Sequence, residues 1–167
     1  MSSARALLSI LFGLLLGSCG VYTFSGASIS PDVKTFSVQY FSNRAQLVQP
    51  QLSQAFTEKL KQRMLSLSGL KQTEREGDLQ FEGYISDYRN TPTAIQGSQT
   101  AALNRLTISV QVKFTNTKDT KQNFETTFTR YADYDSKVAF ESVEQDLIEE
   151  INRQLIDDIF NKSVSNW

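Results

Sequence analysis

Cys19 is the sole cysteine of a 167-residue chain that contains no histidine. A thiol can be half of a disulfide, a metal ligand, a nucleophile or a point of attachment. One cysteine cannot close an internal disulfide. Without histidine, the usual zinc sites and the base that activates a catalytic thiol or serine are both missing. Carboxylates recur in pairs, Asp133 with Asp135, Glu149 with Glu150, and Asp157 with Asp158. At a strand end or on a solvated helix face, solubility and capping explain such pairs better than acid–base catalysis does. No phosphate-cradling glycine loop, metal-ligand spacing or nucleophile motif accompanies them. The expectation is a protein that is not an enzyme and carries no cofactor or metal. Arg89 and Arg105 are the remaining candidates, because they bracket a long irregular segment between two expected strands. Two guanidiniums at one end of a sheet suit phosphate groups, although pairing with Asp87 or Asp133 would also account for them.

The context of Cys19 favours attachment. Arg5 supplies a positive start, Ala6 to Leu16 is a predominantly apolar run of eleven residues, and Gly17-Ser18 gives small residues before the cysteine. This is the three-part layout of a secretory signal. The run is shorter than the ~20 apolar residues needed to span a bilayer. Leu16-Gly17-Ser18-Cys19 resembles a bacterial lipobox, which implies cleavage before Cys19, diacylglycerol on its thiol and an acyl group on the new amino terminus. Several acyl chains hold a protein stably on a membrane where one does so only marginally. Gly20, where an inner-membrane retention signal would have Asp, points to the outer membrane, on the periplasmic side. The expected organisation is residues 1–18 as signal peptide, 19–32 as lipidated tether and 33–167 as one domain.

The elements that must position these residues are legible from periodicity. Lys34 to Phe41 alternates as a strand, with Phe36, Val38 and Tyr40 on one face. Leu52, Ala55, Phe56, Leu60, Met64 and Leu67 form a helical stripe within residues 47–67. Pro50 is tolerable only in the first turn, which starts this helix near Gln49, and Gly69 stops it. Asp78 to Tyr88, Leu106 to Phe114 and Phe124 to Tyr134 are three further strands; the second is apolar at every even position and polar at every odd one. Ser142-Val-Glu-Gln145 fits a capping box for a last helix with Val143, Leu147, Ile148, Ile151, Leu155, Ile159 and Phe160 on its apolar stripe. The order β-α-β-β-β-α predicts an α/β (α+β) two-layer sandwich, a four-stranded mixed sheet with two helices on one face and the other face open. Strands one and two, joined by a helix, should be parallel, and strands two to four an antiparallel meander. Arg89 to Arg105 is longer than a hairpin requires, and long loops in compact domains are often contact surfaces. Acidic and basic residues nearly balance, 18 against 17, with no basic block. Composition gives no indication of nucleic-acid binding.

Several segments resemble the LptE family of lipopolysaccharide-assembly lipoproteins, in particular its Bacteroidota branch. They are Cys19-Gly-Val-Tyr-Thr-Phe-Ser-Gly-Ala-Ser-Ile-Ser-Pro31, Gly77-Asp-Leu-Gln-Phe-Glu-Gly83, Thr100-Ala-Ala-Leu-Asn-Arg-Leu-Thr107, Phe128-Thr-Arg-Tyr-Ala-Asp-Tyr134 and Leu147-Ile-Glu-Glu-Ile151. The resemblance implies a plug inside an LptD-type outer-membrane β-barrel that assists barrel assembly and contacts lipopolysaccharide on its way to the outer leaflet. Basic residues take part in such contacts in the family; Arg89 and Arg105 are candidates from their own placement, not from an alignment to the family. The alternative is a free-standing, periplasm-facing lipoprotein that binds a small ligand or another envelope protein.

Overall fold

The computed structural model describes residues 29–93 and 102–164. Expectations for the leader, for Cys19 and for the middle of the hairpin connection fall outside those residues. The elements in chain order are β1 (Thr35–Val38), β2 (Ser42–Asn43), α1 (Leu52–Ser68), β3 (Lys71–Gln72), β4 (Leu79–Pro92), β5 (Leu103–Asn116), a 3-10 turn (Thr120–Gln122), β6 (Phe124–Asp135) and α2 (Phe140–Val164). The sheet has six strands rather than four, in the order β3-β1-β4-β5-β6, with β2 also paired to β4. The element order therefore differs from β-α-β-β-β-α by two added strands, each two residues long. Neither is long enough to show a period. β1 runs parallel to β4 (Phe36↔Leu79, Val38↔Phe81), and β4, β5 and β6 form the expected antiparallel meander.

Both helices pack against one face of this sheet and against each other. The even positions of β5, Leu106, Ile108, Val110, Val112 and Phe114, are at most 1% exposed and form the floor of the core. From α1 the buried set is Leu52, Phe56, Leu60 and Met64, spaced four residues apart, while Leu67 lies at the helix end and is exposed. Ser53 and Thr57 are buried beside that stripe. Thr57 Oγ1 donates to the Ser53 carbonyl at 2.7 Å and accepts from the Phe41 N–H at 3.1 Å. Burying a phenylalanine stabilises by roughly 1.5–3 kcal/mol, so Phe36, Phe41, Phe56, Phe81 and Phe114, all fully buried, are a major part of what holds the layers together.

Three local expectations are corrected. Tyr40 does not share the face of Phe36 and Val38; it is 61% exposed. The strand breaks after Val38, the Gln39 N–H donates to the Phe81 carbonyl, and the alternation slips so that Phe41 enters the core instead. α1 starts at Leu52, after Pro50 rather than around it, and α2 starts at Phe140, two residues ahead of the expected capping box. Ser142 is therefore inside the helix, donating its hydroxyl back to the Ala139 carbonyl at 2.7 Å. The Gly69 stop is as read, with φ at +66°.

Gly83 sits in β4 where a strand interior is otherwise weakened by glycine. A Cβ there would lie 2.0 Å from the Gln111 carbonyl oxygen and 2.7 Å from the Phe41 ring. Its missing side chain is what admits Phe41 against the sheet.

Candidate interaction surface

β4 and β5 define two ends of the molecule. Their pairing runs from Leu79↔Asn116 to Pro92↔Asn104, shifted once by a bulge between Ile85 and Asp87. At ~3.3 Å per residue, a 14-residue strand is about 45 Å long. At the Leu79 end the chain enters the fold: Ile29 packs on the core, and Ile29, Ser30 and Val33 surround a small cleft with Leu79, Asn116, Gln122 and Val164. The opposite end carries the β4–β5 connection and the starts of both helices.

The entry end is fastened by Asp78. One of its carboxylate oxygens accepts from the Lys34 N–H at 2.8 Å and from the Thr35 N–H and Thr35 Oγ1 at 3.0 Å. The other faces Lys118 Nζ at 3.0 Å. These donors, led by the Lys34 N–H and the Lys118 ammonium, hold the carboxyl well below the usual carboxylate range.

At the far end, Tyr88 of β4 donates its hydroxyl to Glu144 of α2 at 2.5 Å, and Gln49, ahead of α1, donates to the same carboxylate oxygen at 3.4 Å. Burial, then the hydrogen bond to Glu144 and its charge, pushes the Tyr88 phenol far above its ordinary value. The contact ties sheet, helix and connecting loop together. Exposed apolar residues ring this end: Leu47 and Val48 before α1, Leu103 opening β5, and Val138 in the β6–α2 turn.

The face of the sheet away from the helices carries the odd positions of β5. Here Arg105, Thr107, Ser109, Gln111 and Lys113 meet partners on β4 and β6. Lys113 pairs with Glu82 at 3.1 Å, and Gln39 donates to the same carboxylate group at 2.6 Å. Gln111 donates to Glu125, Ser109 bonds Thr129, and the Arg44 guanidinium lies 4.3 Å over the Tyr84 ring. The result is a broad face of hydrogen-bonded and ion-paired side chains.

Arg89 and Arg105 both lie on this face, because Arg89 is opposite Thr107 and Arg105 is opposite Thr91. They are not at the mouth of a long irregular loop. The strands continue past them to Pro92 and from Leu103, and Thr93 N–H closes on the Leu103 carbonyl. Their circumstances differ. Arg105 makes a bidentate pair with Asp133 at 2.7 and 2.8 Å and stacks 3.6 Å above the Tyr131 ring. That pairing raises the arginine's affinity for its proton and lowers that of Asp133. Arg89 reaches Asp87 at only 3.3 Å and its side chain is 60% exposed. Arg105 is committed to the sheet; Arg89 is the guanidinium a ligand could take.

Four of the paired carboxylates each engage a separate partner. Asp133 holds Arg105, Asp135 accepts from the Lys137 N–H at 2.8 Å, Asp157 pairs with Arg63 at 2.7 Å and Asp158 with Arg130 at 2.6 Å. Sequence reasoning missed Tyr131, Asp78 and the Tyr88–Glu144 contact. Tyr131 could have been found from its position opposite Thr107 once the register was known; the other two join elements that no local pattern links.

In comparisons with known proteins, no curated protein matches the sequence. Among solved structures, the chain is similar to a minor lipoprotein from Acinetobacter baumannii, with TM-score 0.53 and 14% identity over 78% of this chain and 92% of that one. It is also similar to the hypothetical protein CT253 from Chlamydia trachomatis, with TM-score 0.54 and 8% identity over 80% of this chain and 99% of that one. At such identities these likenesses concern the fold. The sequence itself carries more: residues 33–163 match the LptE profile, described as lipopolysaccharide assembly, so the chain belongs to the LptE family.

Proposed function

We propose that the protein is a non-enzymatic lipoprotein of the outer membrane, held on its periplasmic side by lipid on Cys19, that plugs an LptD-type β-barrel, assists its assembly and takes part in moving lipopolysaccharide to the outer leaflet. Membership of the LptE family over nearly all of the described fold supports the assembly role. The observation that carries the plug is the polar sheet face. The inside of a large outer-membrane barrel is polar and water-lined. A broad sheet face of paired Lys113, Glu82, Arg105 and Asp133, with Gln111, Ser109 and Thr129 between them, matches such a wall without burying unpaired charge. No helix among the described residues is long and apolar enough to cross a membrane; the proposed hold is the lipid on Cys19, which the lipobox-like Leu16-Gly17-Ser18-Cys19 supports. Lipid attachment confines the domain beside its partner and raises its effective concentration there.

The test is affinity purification of the tagged protein from outer membranes in mild detergent. Co-recovery of a large β-barrel protein is expected, together with palmitate labelling that a Cys19→Ser variant loses. Recovery of the labelled lipoprotein with no barrel would favour a free-standing lipoprotein and overturn the plug.

A further inference from the structure

The two edges of the sheet are treated differently. One ends in β3, only two residues long, beside a four-residue β1, which is the short-strand solution to an exposed edge. The other edge is β6, twelve residues, Phe124-Glu-Thr-Thr-Phe-Thr-Arg-Tyr-Ala-Asp-Tyr-Asp135, containing neither proline nor lysine. The register fixes which backbone groups are open. Ser136 N–H donates to the Ala102 carbonyl, in line with the pairing Leu103↔Asp135. Even-numbered residues of β6 therefore bond to β5, and the odd ones, Glu125 to Asp135, turn N–H and C=O to the open side.

We infer that β6 pairs antiparallel with β6 of a second copy of this chain, centred on Phe128, joining two sheets into one. The sequence of the strand disfavours the two registers that would pair more of its residues. Centring on Thr129 would set Glu125 opposite Asp133, and centring on Arg130 would set Arg130 opposite itself and Glu125 opposite Asp135; like charges directly opposed destabilise a sheet. Centring on Phe128 sets Thr127 opposite Thr129, Glu125 opposite Tyr131, Thr126 opposite Arg130 and Phe124 opposite Ala132. The odd pairs, Thr127 with Thr129 and Glu125 with Tyr131, then exchange backbone hydrogen bonds. Phe128 meets its own copy at a non-hydrogen-bonded position, where Cα atoms approach to about 4.5 Å. Phe124 and Phe128 are only partly buried within one chain, their rings 6.2 Å apart at the border of the core. The second copy would cover them. An inward-pointing charge is a known guard against edge pairing. Here that charge is Arg130, whose guanidinium is drawn aside by a bidentate pair with Asp158 of α2 at 2.6 and 2.7 Å.

This pairing needs no barrel and is tested on the purified chain alone. Sedimentation equilibrium of the full chain in a density-matched detergent should show mass rising from one chain to two across roughly 1–100 µM, the range of a modest interface. Thr127→Lys with Thr129→Lys places lysine against lysine at both symmetric pairs and should weaken association at least about tenfold. Thr127→Lys with Thr129→Glu places opposite charges at the same pairs and should restore it. Both positions are exposed, and unchanged circular dichroism melting of each variant confirms an intact fold. A wild-type chain that stays monomeric throughout, or a Lys/Glu variant as weak as the Lys/Lys one, would overturn the inference.

Discussion

Asp78 is a single carboxylate on which the start of the folded chain converges. Backbone donors of Lys34 and Thr35 and the ammonium of Lys118 all meet it. Hydrogen bonds to a charged group contribute about 1.5–3 kcal/mol, and Asp78→Asn, which keeps an acceptor but loses the charge, should cost about that much at neutral pH by urea denaturation. The sign of the acid response follows from the lowered pKa. The contribution is complete above the unfolded-state value of about 3.9 and is lost as pH falls toward the folded-state value. Wild-type stability should therefore decline below about pH 4 more steeply than that of Asp78→Asn; parallel curves would contradict the role of this carboxylate. Nothing near Asp78 in the sequence announces it, since Lys34 and Thr35 lie 44 and 43 residues before it and Lys118 lies 40 residues after it.

At the scale of elements, the long strands and both helices were legible because a two-residue or 3.6-residue period persisted over several turns. β5 shows this most plainly: each even residue from Leu106 to Phe114 is in the core. What escaped were β2 and β3, too short to carry a period, and the break after Val38, where Tyr40 and Phe41 exchange inside for outside. The capping-box pattern at Ser142 was outcompeted by Phe140, which packs 5.7 Å from Tyr134 and begins the helix two residues earlier. Arg89 and Arg105 lie toward one end of the sheet as expected, and Asp87 and Asp133 are the partners the sequence offered; that the two share a face, and that Arg105 also stacks on Tyr131, depended on the register across the sheet. Gly83 links these levels. Its missing Cβ sets the spacing of β4, β5 and Phe41, and Gly83→Ala should destabilise by at least about 2 kcal/mol through overpacking. A thermal midpoint unchanged by that substitution would show the strands can yield there.

Across the whole molecule, charge and apolar surface are divided between faces. The sheet face is polar and internally paired, whereas Leu47, Val48, Leu103 and Val138 cluster at the end that bears the β4–β5 connection. Lipopolysaccharide phosphates approaching that end would find Arg89 available and Arg105 already held by Asp133. Arg89→Glu should accordingly weaken lipopolysaccharide binding severalfold with no loss of thermal stability, while Arg105→Glu should lower stability as well, by opposing two carboxylates across β5 and β6. Equal binding by wild type and Arg89→Glu would remove Arg89 from the contact. The two ends are also set apart by a rigid spacer of fixed length, the paired strands of about 45 Å that begin beside Ile29 and finish at Pro92. In the proposed function, with lipid on Cys19, this spacer would separate the anchored end of the domain from the end that bears the β4–β5 connection. Deleting one facing pair of dipeptides from β4 and β5 would shorten that spacer by about 7 Å while preserving which side chains face in and out, so in the proposed plug the reach of the domain can be altered separately from the chemistry of its contacts.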